Sequence, residues 1–237
     1  MNVSDCLKIL SSSREELKVF LSETITNHQF SYINFGTAIE PYIKDKLVSI
    51  FQKTGAIKTQ DDCKVAKDKN EFPDFTLVCS DHQLAIEIKS GNHSRLQKNR
   101  WVKCKNSEND MGTLNAWPKK LRKFGGEYIF YLLIEYDFND HDQQIVDVKV
   151  APFYEFLDLN SDGLLRYREK DGNLRPKDFN SDSPIKSLGQ FQELLPKTAS
   201  YRSKRIINKH LRLLSPHERV EVLKALASQE NCTLINK

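Results

Sequence analysis

From Tyr128 to Tyr136 the chain carries its most continuous apolar run, interrupted only by Glu135. A stretch apolar at both alternate sets of positions suits a strand buried on both faces, and such a strand needs a covering layer on either side. Gly125-Gly126 breaks the chain just before it, and Ile145 to Val150 alternates as a following strand would. This points to an α/β architecture. A length of 237 residues fits a single α/β domain with an appended part. Apolar residues make up 39% and charged residues 29%, enough for a core under a soluble surface. No run approaches the roughly 18–20 apolar residues that a bilayer span requires, so no membrane partner is expected. Met1 to Leu21 is studded with charge and has no apolar stretch, so no secretory signal is expected. The five cysteines (Cys6, Cys63, Cys79, Cys104, Cys232) are odd in number and contain no CxxC pair. They suit a reducing cytoplasm better than a disulfide framework or a zinc knuckle.

Helical spacing appears over Ser4 to Ser22 and again from Thr37 to Lys53, where Ile39, Ile43, Leu47, Ile50 and Phe51 form one stripe. The second helix has Pro41 in its first turn and Gly55 as its stop signal. Pro118 to Phe124 reads as a short basic helix. Ser215-Pro216-His217-Glu218 is a capping box opening a last helix through about Ala227. The polar stretch from Leu164 to Pro196 reads as loops around a strand or two.

Net charge is only +4, but the positive charge is clustered. Ser90 to Lys123 holds nine Lys and Arg against Glu108 and Asp110, and residues 197–212 hold six with no acid. Asp137 to Asp147 has the opposite bias. Two basic runs on one chain suggest a polyanionic partner.

Between these runs and the N-terminal helices lies the segment with the most chemistry. Phe75 to Cys79 and Leu84 to Ile88 are β-rich runs joined by the polar turn Ser80-Asp81-His82-Gln83, a hairpin pattern. Asp74 begins the first strand. In the second, Glu87 and Lys89 lie two apart and share a face, while Ile86 and Ile88 point into the core. The turn folds Asp74 back beside Glu87. Two carboxylates next to an ammonium suit a hard cation such as Mg²⁺, with the lysine able to hold or deprotonate an attacking water.

Pro73-Asp74, twelve residues, then Glu87-Ile88-Lys89 resembles the PD-(D/E)XK signature of restriction-endonuclease-like nucleases. Glu40-Pro41-Tyr42, leading the second helix, resembles the upstream acidic helix of the same superfamily. Two further segments resemble the blunt-cutting type II restriction enzymes, the EcoRV/HincII group: Asn109 to Asn115 is similar to a DNA-contacting loop, and Ser200 to Lys204 to a late major-groove loop opening a basic helix. The hairpin text FPDFTL…AIEIK is similar to that group's catalytic hairpin, with Glu87 where the group has Asp. The resemblance spans residues 35–215 in patches.

It implies a restriction-endonuclease-like core with a central mixed sheet between helices. The chain would form one such domain over 1–237, its catalytic core at about 35–150 and a DNA-recognition and C-terminal helical part at about 151–237. Asp74, Glu87 and the Ile88 carbonyl would hold Mg²⁺, Lys89 would be the catalytic lysine, and Glu40 a further carboxylate. Asn109, Thr113 and Asn115 would face the minor groove or backbone; Lys119, from the basic run itself, is expected to bind phosphate. Ser200, Tyr201 and Arg202 would read major-groove base edges. The expected activity is Mg²⁺-dependent hydrolysis of duplex DNA at a short palindromic site by a cytoplasmic homodimer. A cognate DNA methyltransferase would be its functional, non-binding counterpart. The alternatives are a repair or junction-resolving nuclease of the same superfamily and a non-catalytic DNA-binding module.

One other motif competes. Asp158-Leu159-Asn160-Ser161-Asp162-Gly163, five residues, then Glu169 matches the EF-hand loop in full. The break at Lys170 to Pro176 leaves no room for the exiting helix, and the alternation after Leu164 suits a strand. A turn over Asn160 to Gly163 is the expected structure. The six histidines sit at no metal-ligand spacing, and there is no phosphate-binding GxxxxGK motif.

Overall fold

In a computed structural model describing residues 1–31, 33–68, 71–107, 109–139 and 142–234, the chain opens with three helices. These are α1 (Val3–Ser12), α2 (Arg14–Asn27) and α3 (Phe35–Lys53). Glu108 and His141, which entered the counts above, lie outside the described residues. The helix expected over Ser4 to Ser22 is therefore two. Ser11-Ser12-Ser13 are weak helix formers that compete for backbone hydrogen bonds, and the chain breaks at Ser13. The break lets Cys6 and Leu10 of α1 and Leu17 and Leu21 of α2 enter one core. Helix α3 starts two residues before the expected point, so Pro41 sits in its second turn. Its early start is tightly fitted, because a Cβ on Gly36 would lie 2.2 Å from the Ser90 hydroxyl.

Among the described residues seven strands follow: β1 (Cys63–Val65), β2 (Phe75–Val78), β3 (Gln83–Asn92), β4 (Ser94–Gln97), β5 (Arg100–Lys103), then, beyond helix α4 (Trp117–Phe124), β6 (Ile129–Phe138) and β7 (Gln143–Pro152). The main sheet has the order β1-β2-β3-β6-β7 and is mixed, with β3 and β6 parallel and every other pair antiparallel. The apolar run is thus β6, one of the inner strands, buried along most of its length. β4 and β5 form a separate two-stranded ribbon.

The sheet divides two cores. Helices α1–α3 pack on the face that receives Phe75, Leu77, Ile86, Ile88, Leu132 and Ile134. Ala85, Tyr131 and Leu133 point the other way, toward Trp117 and Phe124 of α4 and toward Phe153, Leu165, Phe191 and Leu195. By period two, Glu87 and Lys89 of β3 share this second face with Ala85.

The largest departure from the sequence reading is helix α5 (Leu188–Leu211). Pro196 marks the end of an expected loop region, yet it lies inside this helix, which Ser187 caps by accepting from the Gln190 N–H. Phe191, Leu195 and Thr198, at helical spacing, anchor it, and the Thr198 hydroxyl accepts from the Leu165 N–H at 3.1 Å. Burial of that stripe outweighs the one backbone hydrogen bond that proline removes. Residues 157–176 are joined by isolated bridges rather than strands, including Leu159 with Leu165 and Tyr167 with Leu174. Helix α6 (Pro216–Leu234) begins with the expected capping box, Ser215 and Glu218 bonding reciprocally, and runs beyond Ala227. No helix among the described residues is long and apolar enough to cross a membrane.

Candidate active site

The β2–β3 hairpin pairs Phe75 with Ile86, which sets Asp74 beside Glu87 at the mouth of the ladder. The Asp74 carboxylate accepts the Ile88 N–H at 2.7 Å. Lys89 reaches back along its own strand to Glu87, Nζ to Oε1 at 2.7 Å. Both carboxylates are buried, Asp74 7% exposed and Glu87 9%. Burial first, then the charge of Glu87, pushes the Asp74 carboxyl up to about 7, against the pull of Lys89 and of the Ile88 N–H. Burial opposes the charge on Lys89, but Glu87, Asp74 and Glu40 outweigh it and hold its ammonium above the ordinary lysine value. Burial, then the same two carboxylates, also raises Tyr131 on the adjoining strand, whose hydroxyl donates to the Met111 carbonyl.

The second oxygen of Glu87 is buried and accepts no hydrogen bond. An uncompensated buried acceptor costs on the order of 1–3 kcal/mol, more when it is ionised. Lys89 and the raised Asp74 carboxyl relieve part of the like charge, and the unbonded Glu87 oxygen is the acceptor left over for a cation. The oxygen donors of Asp74 and Glu87 therefore fit Mg²⁺ or a similar hard cation. Among the described residues no three His, Cys, Asp or Glu side chains gather closely enough to bind a metal by themselves. The remaining positions would fall to a backbone carbonyl, water or substrate, as is usual for Mg²⁺.

Glu40 projects from α3, but its carboxylate is bound by Lys44 one turn on, at 2.5 Å, and Lys44 in turn lies 3.9 Å from Asp74. The upstream carboxylate thus meets the pair through a lysine. A cleft of about 320 Å³ opens beside it, lined by Asn34, Thr37, Glu40, Lys89, Ser90 and Asn109 among others. Asn109 is fixed there by donating its side-chain amide to the Ser90 carbonyl.

The other expected contact residues fall on the segment before α4, on α4 and on α5. Thr113 bridges to Asn173, and its hydroxyl accepts the Ala116 N–H just before α4. Asn115 and Lys119 are exposed. Ser200, Tyr201 and Arg202 were expected in a loop opening a helix. They stand instead in the middle of α5, because the buried stripe from Phe191 to Thr198 extends the helix upstream. Ser200 is exposed, Tyr201 donates to Asp162 at 3.3 Å, and Arg202 donates to the Glu169 carbonyl at 3.2 Å.

Two residues near the carboxylates escaped the sequence reading. Lys44 was legible as the i+4 partner of Glu40 on one helix face. Lys120 belongs to the same basic run as Lys119, but helical spacing separates the two, since Lys120 shares the inner face of α4 with Trp117, Leu121 and Phe124. Burial pulls its ammonium down to about 8, with Glu87 and Asp74 working against that fall and Lys89 adding to it.

A central mixed five-stranded sheet flanked by helices is a restriction-endonuclease-like fold. Among solved structures, the NlaIV restriction endonuclease matches this chain with a TM-score of 0.51 at 16% identity. The match covers 73% of this chain and 66% of that one, so the chain spans just under two thirds of the neighbour's length. No protein-family model and no curated protein matches the sequence.

Proposed function

We propose that this chain is a type II restriction endonuclease hydrolysing duplex DNA with Mg²⁺. One observation carries the reading: Asp74 and Glu87 are buried side by side, one Glu87 oxygen has no protein partner, and Lys89 is bonded to the other. The fold shared with a restriction endonuclease supports it. So do the two basic runs, of which residues 197–212 lie on the exposed half of α5 and on into the turn after it.

Asp74 and Glu87, with the Ile88 carbonyl, would hold the ion, which when bound supplies Lewis-acid polarisation of the phosphate. Lys89 orients the attacking water and offsets charge as it builds on phosphorus. Water oxygen bonds to phosphorus as the bond to the 3′ oxygen breaks, the 3′ oxygen takes a proton, and the products are 5′-phosphate and 3′-hydroxyl ends. Glu40 acts through Lys44, which sets the charge around Asp74. Asn109, Thr113, Asn115 and Lys119 contact the DNA from the segment before and at the start of α4. Ser200, Tyr201 and Arg202 read base edges from the side of a helix, leaving their contacts to residues 162 and 169 to do so. The hairpin text and the Asn109 to Asn115 segment favour the blunt-cutting group. A homodimer would match a palindromic site, with a methyltransferase protecting the same sequence.

The test is digestion of plasmid DNA in Mg²⁺ followed by sequencing of the ends. Discrete fragments with 5′-phosphates are expected. Cleavage confined to branched or mismatched DNA would move the chain to the repair class, and specific binding without cleavage in Mg²⁺ or Mn²⁺ would leave only a DNA-binding module.

A further inference from the structure

Three carboxyl groups and three ammonium groups meet at this site, and the ammonium groups are not equivalent. Lys89 is bonded to Glu87 at 2.7 Å, and Lys44 to Glu40 at 2.5 Å. Lys120 is within electrostatic reach of Asp74, Glu87 and Lys89, yet among the described residues its Nζ makes no ion pair or hydrogen bond. It rests on aromatic faces instead, 3.5 Å from the ring centre of Phe72 and 5.1 Å from that of Trp117. Phe72 is two residues before Asp74, so the ring that carries the ammonium is part of the strand entrance that carries the carboxylate.

The surroundings keep this place open. Gly112 has φ +85°, and a Cβ there would come within 3.3 Å of the Lys120 Nζ and 3.1 Å of the Trp117 indole nitrogen. Trp117 is fully buried and donates that nitrogen to the Met111 carbonyl, so it cannot give way. A half-buried ammonium with its three donors unspent costs free energy that a π face offsets only in part. The two carboxylates hold it by charge without taking its hydrogen bonds. An anion arriving between them would find two committed ammoniums and one free one.

We infer that Lys120 is a substrate-contacting residue of this site, donating to a non-bridging oxygen of the phosphate being cleaved from the α4 side of the sheet. The inference rests on the nuclease reading and gives it a fourth functional side chain beside Asp74, Glu87 and Lys89. Lys120 acts here as a cation and transfers no proton. Its part is to stabilise the extra negative charge that builds on the phosphate oxygens as water attacks.

Lys120→Met keeps the stem over Phe72 and removes the donors, and Lys120→Arg restores a cation. With DNA saturating, single-turnover cleavage by Lys120→Met should fall by about a hundredfold, the scale of losing one preorganised donor at a transition state. Lys120→Arg should recover at least about a tenth of the wild-type rate, a span of one decade in the rate constant. Without divalent metal, duplex affinity of Lys120→Met should fall and its salt slope should lessen by about 0.9, one phosphate contact. Thermal melts of both variants identify any loss that is only unfolding, and the arginine variant decides the matter if the methionine one does not fold. Cleavage and binding by Lys120→Met both within twofold of wild type would overturn the assignment. A wild-type protein that binds DNA but cleaves none in Mg²⁺ or Mn²⁺ would overturn the nuclease reading alone, and the binding measurement would then judge Lys120 by itself.

Discussion

Two acidic regions of this molecule invert what their motifs promise. The loop from Asp158 to Glu169 matches a calcium-binding pattern in full, whereas Asp74 and Glu87 belong to a short and degenerate one. In the loop, Asp158 pairs with Arg166 at 2.9 Å and Glu169 with Arg205 at 2.6 Å. Asn160 spends its side-chain oxygen on the backbone N–H groups of Asp162 and Leu164, and Asp162 accepts from Tyr201. Every one of these acceptors has a protein partner and access to water. At the hairpin two carboxylates are buried together, one raised to about 7 and the other with an oxygen unbonded. Full agreement with a ligand pattern says little when the ligands already satisfy one another. A buried carboxylate oxygen with no donor, beside a second buried carboxylate, is the stronger sign of a missing partner.

The sharpest attempt to break this contrast is Asp74→Ala. If the pair holds the ion, cleavage should fall by at least about a thousandfold, in the range seen when an essential catalytic group is removed. DNA binding should persist or tighten, since a carboxylate that repels phosphate is gone. Near-wild-type turnover would remove the hairpin from the mechanism.

Next in size is the dependence of stability on pH, which should differ in sign between the regions. Asp74 is raised from 3.8 to about 7, so the folded state holds a proton that the unfolded state has lost. Between those values stability of the metal-free protein should fall as pH rises. Asp171, beside the loop, is held below its ordinary value of 3.8 by hydrogen bonding to Arg168, which outweighs its slight burial. Its contribution is present above that value and is lost only in acid. Melting temperatures from pH 3 to pH 8 should therefore show Asp74→Asn flattening the neutral limb and Asp171→Asn altering only the acid limb. Mg²⁺ should raise the melting temperature more at pH 8 than at pH 5. Equal Mg²⁺ shifts at both would mean that the ion does not displace a proton from this site.

Arg202 tests the border between the regions, since it belongs to the expected DNA surface yet donates to the Glu169 carbonyl. A guanidinium can pair with guanine at two points, which an ammonium cannot reproduce. Arg202→Lys should cut cleavage of the cognate site by about tenfold, equivalent to about 1.4 kcal/mol. It should also narrow the gap between cognate and single-mismatch duplexes. Unchanged discrimination with a lower melting temperature would make Arg202 a clamp between α5 and the loop.

What the sequence made legible follows from the range of the interactions involved. The hairpin, the inner strand β6 and the pairing of Glu87 with Lys89 are set by period-two alternation and a four-residue turn, both local. The split of the first helix at Ser13 and the continuation of α5 through Pro196 are set by which residues reach a common core. Phe191, Leu195 and Thr198 did carry the helical period, but a proline read as a boundary hid it. Lys120 differs from Lys119 only by facing inward, and its importance depends on Phe72, distant in sequence, and on the backbone turn at Gly112. The Lys44 link between Glu40 and Asp74 is likewise half local and half tertiary.

The smallest expected effect belongs to Asp158→Ala, the counterpart in the loop of Asp74→Ala. Its ion pair with Arg166 joins side chains 26% and 32% exposed, where solvent screening leaves such a pair about 0–1 kcal/mol. Arg166 keeps a second partner, the Pro176 carbonyl, so its charge is not stranded by the substitution. The Asp158 backbone, which accepts the Arg166 N–H and donates to the Arg175 carbonyl, is untouched. Stability should therefore drop by no more than about 1 kcal/mol, cleavage should continue at close to the wild-type rate, and millimolar Ca²⁺ should shift the melting temperature of wild type and variant alike. A Ca²⁺ shift present in wild type and lost in Asp158→Ala would show that the loop binds an ion after all. The contrast between satisfied and unsatisfied carboxylates would then fail as a guide to which acidic cluster is a site.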